Sequence, residues 1–267
     1  MKKYVLAIFI GIIGNVFGQI DAKVYYEKTE NGYMVYGDNA ELCEVSIELN
    51  FTLVNLNSDI GPKKIIVLPP QSLKNKIAAL TVVNPKMMYK FSYTTLMNWG
   101  NHYLETYDDT FVYQLPFQAG EKYKIGQGYN GSFSHQNQNA LDFTMPVGTL
   151  ITAARGGTVV AVTQKHFKTC AVKSCAEFNN YITIQHSDGT FAEYTHIKQN
   201  GALVKKGDKV TMGQPLAKSG NVGWSNGPHL HFVVYIQRLT QRETLKTKFQ
   251  TLNGVISQLE EKVIYER

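Results

Sequence analysis

The hydrophobic pattern alternates with a period of two far more often than with a helical period. Val24-Tyr25-Tyr26 and Tyr33-Met34-Val35-Tyr36 flank Asn31-Gly32, the signature of a β-hairpin. Cys43, Val45, Ile47, Leu49, Phe51 and Leu53 then occupy every second position, with Glu44, Ser46, Glu48, Asn50 and Thr52 between them. Such alternation predicts a strand with one wet face. Ile65-Ile66-Val67-Leu68 stops at Pro69-Pro70, and the runs Lys90–Thr95 and Thr110–Leu115 supply further strands. Residues 19–115 therefore read as a β-rich accessory module of sandwich type. Cys43 reads as a small buried hydrophobe within it.

Leu115-Pro116-Phe117 and Gly120-Glu121-Lys122 mark a boundary. From 116 to 240 the pattern is again short strands and glycine-rich turns. Tyr181–His186 and Thr190–His196 enclose Ser187-Asp188-Gly189 as a second hairpin. The tail, 241–267, is ambiguous and is expected to pack on or near the domain before it. Val255, Ile256, Leu259, Val263 and Ile264 suit a helical face, whereas Val263-Ile264-Tyr265 suits a strand. The predicted class is mostly β: an antiparallel β domain preceded by a sandwich-like module.

Composition narrows the possibilities further. Of 267 residues, 43% are hydrophobic and 18% charged, with 22 Gly, 16 Tyr and 13 Phe. This balance supports a large core and excludes a coiled coil, a collagen and a polytopic membrane protein. Residues 1–18 begin Met1-Lys2-Lys3, continue apolar from Tyr4 to Val16 and close on Val16-Phe17-Gly18. That is a secretory signal layout, too short for a good membrane span, so an exported chain beginning at Gln19 is expected, periplasmic or extracellular. An uncleaved signal is the one membrane attachment it offers. Beyond it stand 25 basic against 21 acidic side chains. This mild surplus suits an anionic polymer and is too weak to argue for nucleic acid. In an oxidising compartment Cys170 and Cys175 are expected to pair as a disulfide.

Gly126-Gln127-Gly128-Tyr129-Asn130-Gly131 matches the dinucleotide fingerprint G-x-G-x-x-G, but the polar run Ser132–Asn139 that follows is no amphipathic helix. The segment reads instead as a turn lining a cleft.

The histidines carry the chemistry. Pro228-His229-Leu230-His231-Phe232-Val233 reads as a strand, so His229 and His231 project from one face while Leu230 and Phe232 enter the opposite layer. His135 precedes Asp142 across a polar loop, and Asp142 lies between Leu141 and Phe143. A carboxylate in that apolar setting calls for a cation. Two imidazoles and one carboxylate, leaving a position for water, form the pattern of a catalytic zinc site. His196, at the end of Glu193-Tyr194-Thr195-His196-Ile197, can reach the same cleft. His102, His166 and His186 have no suggestive neighbours and read as surface or packing residues.

Together, His135…Asp142, Tyr194-Thr195-His196-Ile197 and Gly227-Pro228-His229-Leu230-His231-Phe232 resemble the lysostaphin-type (LytM-like) zinc metallopeptidases. The resemblance covers roughly residues 120–236, and Gly156-Gly157-Thr158-Val159-Val160 and Lys206-Gly207-Asp208-Lys209-Val210 extend it. Six residues separate His135 from Asp142, where the family's commonest motif has three. The resemblance implies a groove holding one Zn2+ between His135, Asp142 and His231, with His196 and His229 as unligated catalytic histidines. It also implies hydrolysis of peptide cross-links or bridges of peptidoglycan by a monomeric zinc endopeptidase. Tyr129, a few residues before His135, is a further candidate for binding substrate as an oxyanion donor. The alternative is an inactive cell-wall- or partner-binding relative that keeps the fold and the zinc.

Overall fold

The structure is a computed structural model describing residues 20–267; the expected signal segment, 1–18, lies outside the described residues. The described chain is almost wholly β, and nearly all of its strand pairings are antiparallel. No helix among the described residues is long and apolar enough to cross a membrane.

Residues 22–99 form two facing sheets. One joins Ala22–Thr29, Gly32–Asn39, Ser72–Val82 and Leu56–Ser58; the other joins Lys63–Leu68, Val45–Val54 and Lys90–Trp99. The alternation explains the layering: Val45, Ile47 and Leu49 are fully buried between the sheets with Val35, Leu68 and Leu80. Ser46 departs from the pattern. It is buried on the opposite face, where its hydroxyl donates to Gly100 O at 2.7 Å. Cys43 lies before the strand begins, and burial pushes its thiol up to about 12.

The second unit is built on a nine-stranded antiparallel sheet. His229–Gln237 lies near its middle, flanked by Phe191–Thr195 on one side and Ala140–Thr144 on the other. Leu230, Phe232, Val234 and Ile236 face a core that includes Leu141, Phe143, Ile182, Ile184 and Tyr194. His229 and His231 project from the other face. Further along that face, Val233 and Tyr235 are covered by Leu42, Cys43 and Trp99 of the first unit. Asn98 Nδ2 donates to Leu239 O at 3.0 Å, and Lys206 pairs with Glu41 at 2.6 Å, fastening the two units together. The amino-terminal module thus sits on the histidine-bearing face, at the end away from the histidines.

The tail forms strands, not a helix. Arg242–Leu245 pairs with His229–Gln237, Lys248–Thr251 with Val112–Gln114, and Ile264–Glu266 with Lys122–Gln127. Burial gives the reason. Phe249, Leu259 and Tyr265 are the anchored side chains, whereas Val255 and Ile264 of the helical alternative are exposed.

His186 packs inside the second unit. Its Nδ1 donates to Gly156 O at 2.8 Å, while its Nε2 is buried without a hydrogen-bond partner. Burial pushes this imidazole down to about 4. The unfolded chain therefore binds one more proton here than the folded chain between pH 4 and about 6.5. This contribution to stability is complete above that window and fades as pH falls through it. His186→Gln, which keeps a donor for Gly156, is expected to flatten the decline of Tm between pH 6.5 and pH 4, removing on the order of 1–3 kcal/mol of pH-dependent stability. Thermal melts across that range check it; equal slopes in both proteins contradict it.

Candidate metal centre

The centre is built by strand register. Asp142 stands directly opposite His231 in the antiparallel pair Ala140–Thr144 and His229–Gln237, and Thr195 flanks His231 on the other side. Directly opposed residues point to the same face, so carboxylate and imidazole meet without any long reach. Asp142 Oδ1 lies 3.0 Å from His231 Nδ1. His135 enters from the loop after Lys122–Gln127, fully buried, with Nε2 3.2 Å from both Asp142 Oδ1 and His231 Nδ1. Among the described residues these three form the group able to hold a metal ion.

Neighbouring groups determine where each lone pair points. His135 Nδ1 lies 3.0 Å from Gly128 O, so it carries the proton and leaves the Nε2 lone pair facing the cluster. Gln127 organises the rest. Its Nε2 donates to Asp142 Oδ2 at 3.0 Å, and its Oε1 accepts from the N–H groups of Phe133 and Ser134, each at 3.0 Å. Gly131 makes room for that side chain, since a Cβ there would fall 2.3 Å from Gln127 Cγ. The G-x-G-x-x-G stretch is therefore a brace for the cleft. Burial opposes the charge on Asp142, but the surrounding His135 and His231 imidazoles outweigh it and hold the carboxyl well below its usual range.

Three acceptor atoms thus converge: a lone pair on His135 Nε2, an ionised oxygen on Asp142 and a ring nitrogen of His231. One proton on His231 Nδ1 can serve only one of the contacts among them. A divalent cation serves all three, and mixed imidazole and carboxylate donors suit zinc.

His196 and His229 stand beside this cluster with ring centroids 4.6 Å apart. His196 Nδ1 donates to Val222 O at 2.7 Å, and His229 Nδ1 to Gly227 O at 2.8 Å. Both therefore present an Nε2 lone pair, and that of His229 lies 3.7 Å from Asp142 Oδ1. Burial, reinforced by the neighbouring His229 and His231, pushes His196 down to about 3, and burial lowers His229 as well. His196 has φ of 68°, a left-handed conformation costing on the order of 1 kcal/mol or more, and its N–H is secured by Asn180 O at 2.8 Å.

Tyr129 does not join them. Its hydroxyl bonds Thr247 Oγ1 at 2.8 Å and accepts from Thr247 N at 3.0 Å, so its partners lie on the tail. Cys170 and Cys175 form the disulfide. Their loop is stitched to one wall of the cleft, with Thr169–Cys170 paired to Gly223–Trp224 and Trp224 Nε1 donating to Ala171 O at 3.2 Å. Sequence reasoning missed Gln127 and the carbonyls of Gly128 and Val222. The one available signal was Gln127, inside a glycine-rich turn already assigned to a cleft.

Such an antiparallel sheet with a His–Asp–His cluster beside two further imidazoles has the organisation of a metallopeptidase domain. Residues 136–243 match the model of peptidase family M23, and the similarity of this part of the chain supports a LytM-like family. The chain is 26% identical over 245 residues to an uncharacterized metalloprotease of Buchnera aphidicola subsp. Baizongia pistaciae, covering 84% of this chain and 61% of that one. It is 37% identical over 99 residues to the peptidoglycan DD-endopeptidase ShyA of Vibrio cholerae, covering 37% of this chain and 20% of that one. The chain thus spans less than two thirds of the length of these curated relatives. Among solved structures, the catalytic domain of the antimicrobial peptidase lysostaphin from Staphylococcus simulans is 25% identical, with a TM-score of 0.35, over 46% of this chain and 87% of that one.

If the cluster binds an ion as its geometry allows, His231→Ala and Asp142→Ala should each lose stoichiometric metal, with affinity falling at least 100-fold. His229→Ala should keep it. Elemental analysis of the purified variants reads this directly, and full metal content in His231→Ala contradicts it.

Proposed function

We propose that the chain is an exported zinc metallo-endopeptidase that hydrolyses peptide cross-links or bridges of peptidoglycan. The observation that carries the reading is the pairing of a three-donor cluster with two neutral imidazoles beside it, one of which, His229, brings its Nε2 to 3.7 Å from Asp142 Oδ1. The M23 match and the peptidoglycan endopeptidases among the relatives support the substrate class. In this reading residues 116–240 are the peptidase domain, 19–115 an accessory module, and 241–267 an extension packed on the peptidase domain. Residues 1–18 are the export signal, and the active form is a monomer.

His135, Asp142 and His231 hold the metal. Zinc in that position supplies a Lewis acid for the scissile carbonyl and lowers the pKa of a water within its reach. His229 is the proton acceptor: its Nδ1–H is tied to Gly227 O, its Nε2 faces Asp142, and burial keeps it neutral until it takes the proton. His196, buried more deeply and held down to about 3, stays neutral and accepts a hydrogen bond that orients the water. The proton on His229 then passes to the departing amine.

Purified zinc-loaded protein is expected to release peptides from isolated sacculi, to lose this activity in phenanthroline and to regain it with added zinc. Undiminished release in chelator contradicts the mechanism, and binding to sacculi without release identifies the inactive alternative. The pH profile supplies a second test. His229 must be neutral to accept a proton, and its lowered pKa keeps it so below the ordinary histidine midpoint. The acid limb of kcat/KM is therefore expected below about pH 6.5, falling as pH falls. An acid limb centred above pH 7 contradicts this assignment.

A further inference from the structure

Next to Asp142 and His229 the cleft deepens into a cavity of about 330 Å³. Its floor includes Gly126 and Thr144, on adjacent strands. A Cβ on Gly126 would fall 2.7 Å from Thr144 Oγ1, so glycine keeps this floor open. One wall carries the ring of Phe133, 54% exposed and tilted against Trp224 at a centroid distance of 6.2 Å; the other carries Pro228. These surfaces suit an aliphatic stem.

The far side is contributed by the tail. Leu259 is buried in the core and Lys262 N donates to Ile125 O at 2.8 Å, so the backbone on both sides of Glu261 is anchored. The Glu261 carboxylate accepts one long hydrogen bond, from Gly128 N at 3.5 Å, and among the described residues it has no ion pair. The other ionisable groups lining the cavity, Asp142 and His229, are committed to the metal cluster and to proton transfer. Glu261 thus carries an exposed carboxylate on an anchored stretch of backbone, and it shares the lining of the recess with Phe133 and Pro228 and with the polar Gln127, Ser132, Thr144 and Asn226.

We propose that this cavity is a side-chain subsite for a substrate residue carrying a primary ammonium on an aliphatic stem, and that Glu261 sets its specificity. The proposal rests on the hydrolase reading for its substrate, yet the recess and the anion exist whether or not a bond is cut. Thr144 Oγ1 and Glu261 offer acceptors, while Phe133 and Pro228 cover the methylenes. A neutral or acylated amine would leave the carboxylate with only its long bond to Gly128.

The test uses two synthetic cross-linked stem peptides that differ only in one side-chain amine, free in one and N-acetylated in the other. Both are offered to the zinc-loaded full chain and to Glu261→Gln. Fluorescence anisotropy gives Kd, and steady-state cleavage gives kcat/KM. The wild type is expected to favour the free amine by about five- to tenfold, the range of a charge-assisted hydrogen bond at a partly exposed site. Glu261→Gln should bring that ratio close to one, and Glu261→Asp should keep a preference of the same sign. A preference that survives Glu261→Gln overturns the proposal. So does a wild type with no preference, or one that fails to bind the free-amine peptide at millimolar concentration. If neither peptide is cleaved but the Kd preference depends on Glu261, the subsite stands and the hydrolase reading falls.

Discussion

Asp142 stands opposite His231 in antiparallel register, and the functional reading of this molecule depends on that pairing. A slip of one residue between these strands would turn one of the two side chains into the core and bring Leu141 or Phe143 to the face where the ion belongs. The register is held by what lies on the reverse side. Leu230, Phe232, Val234, Leu141 and Phe143 are all buried, so a shift would expose large apolar surface as well as dismantle the cluster. The same alternation that folds the sheet therefore brings the carboxylate and the imidazole to one face.

Around this pair the chain supplies directionality through single hydrogen bonds from carbonyls. Gly128, Val222 and Gly227 each accept a proton from a ring Nδ1, and in each case the Nε2 atom is turned toward the cleft. Two stretches of chain, at Gly128 and at Val222 to Gly227, thus assign three imidazole tautomers. Their roles separate because their surroundings differ. His135 shares contacts with Asp142 and His231, whereas His196 and His229 lie to the side and are kept neutral by burial. The amino-terminal module contributes indirectly. By covering Val233 and Tyr235 it removes the apolar end of the histidine face from water and leaves the polar end open.

Strands whose side chains alternate were legible in the sequence, and so was the β class. Val45, Ile47 and Leu49 repeat every second residue, and the His229-Leu230-His231 pattern assigns its own two faces. Three kinds of information were not legible. Carbonyl partners are chemically identical at every position, so nothing in the composition singles out Gly128 or Val222. Residues that work through tertiary contact, such as Gln127 and Glu261, sit in polar stretches that look like ordinary loops. The tail was undecidable by period because Val255 and Ile264 are exposed and only Phe249, Leu259 and Tyr265 anchor it. The Tyr129 hydroxyl is likewise met by a partner, Thr247, that lies far along the sequence.

In the proposed function, two imidazoles and one carboxylate hold a single ion with a coordination position left to solvent. X-ray absorption spectroscopy of the zinc-loaded full chain at neutral pH tests this most directly. The expected spectrum has two imidazole nitrogens with oxygen ligands from one carboxylate and from water, at about 2.0–2.2 Å. A third imidazole or a sulfur in that shell, or a spectrum unchanged by Asp142→Ala, would contradict it.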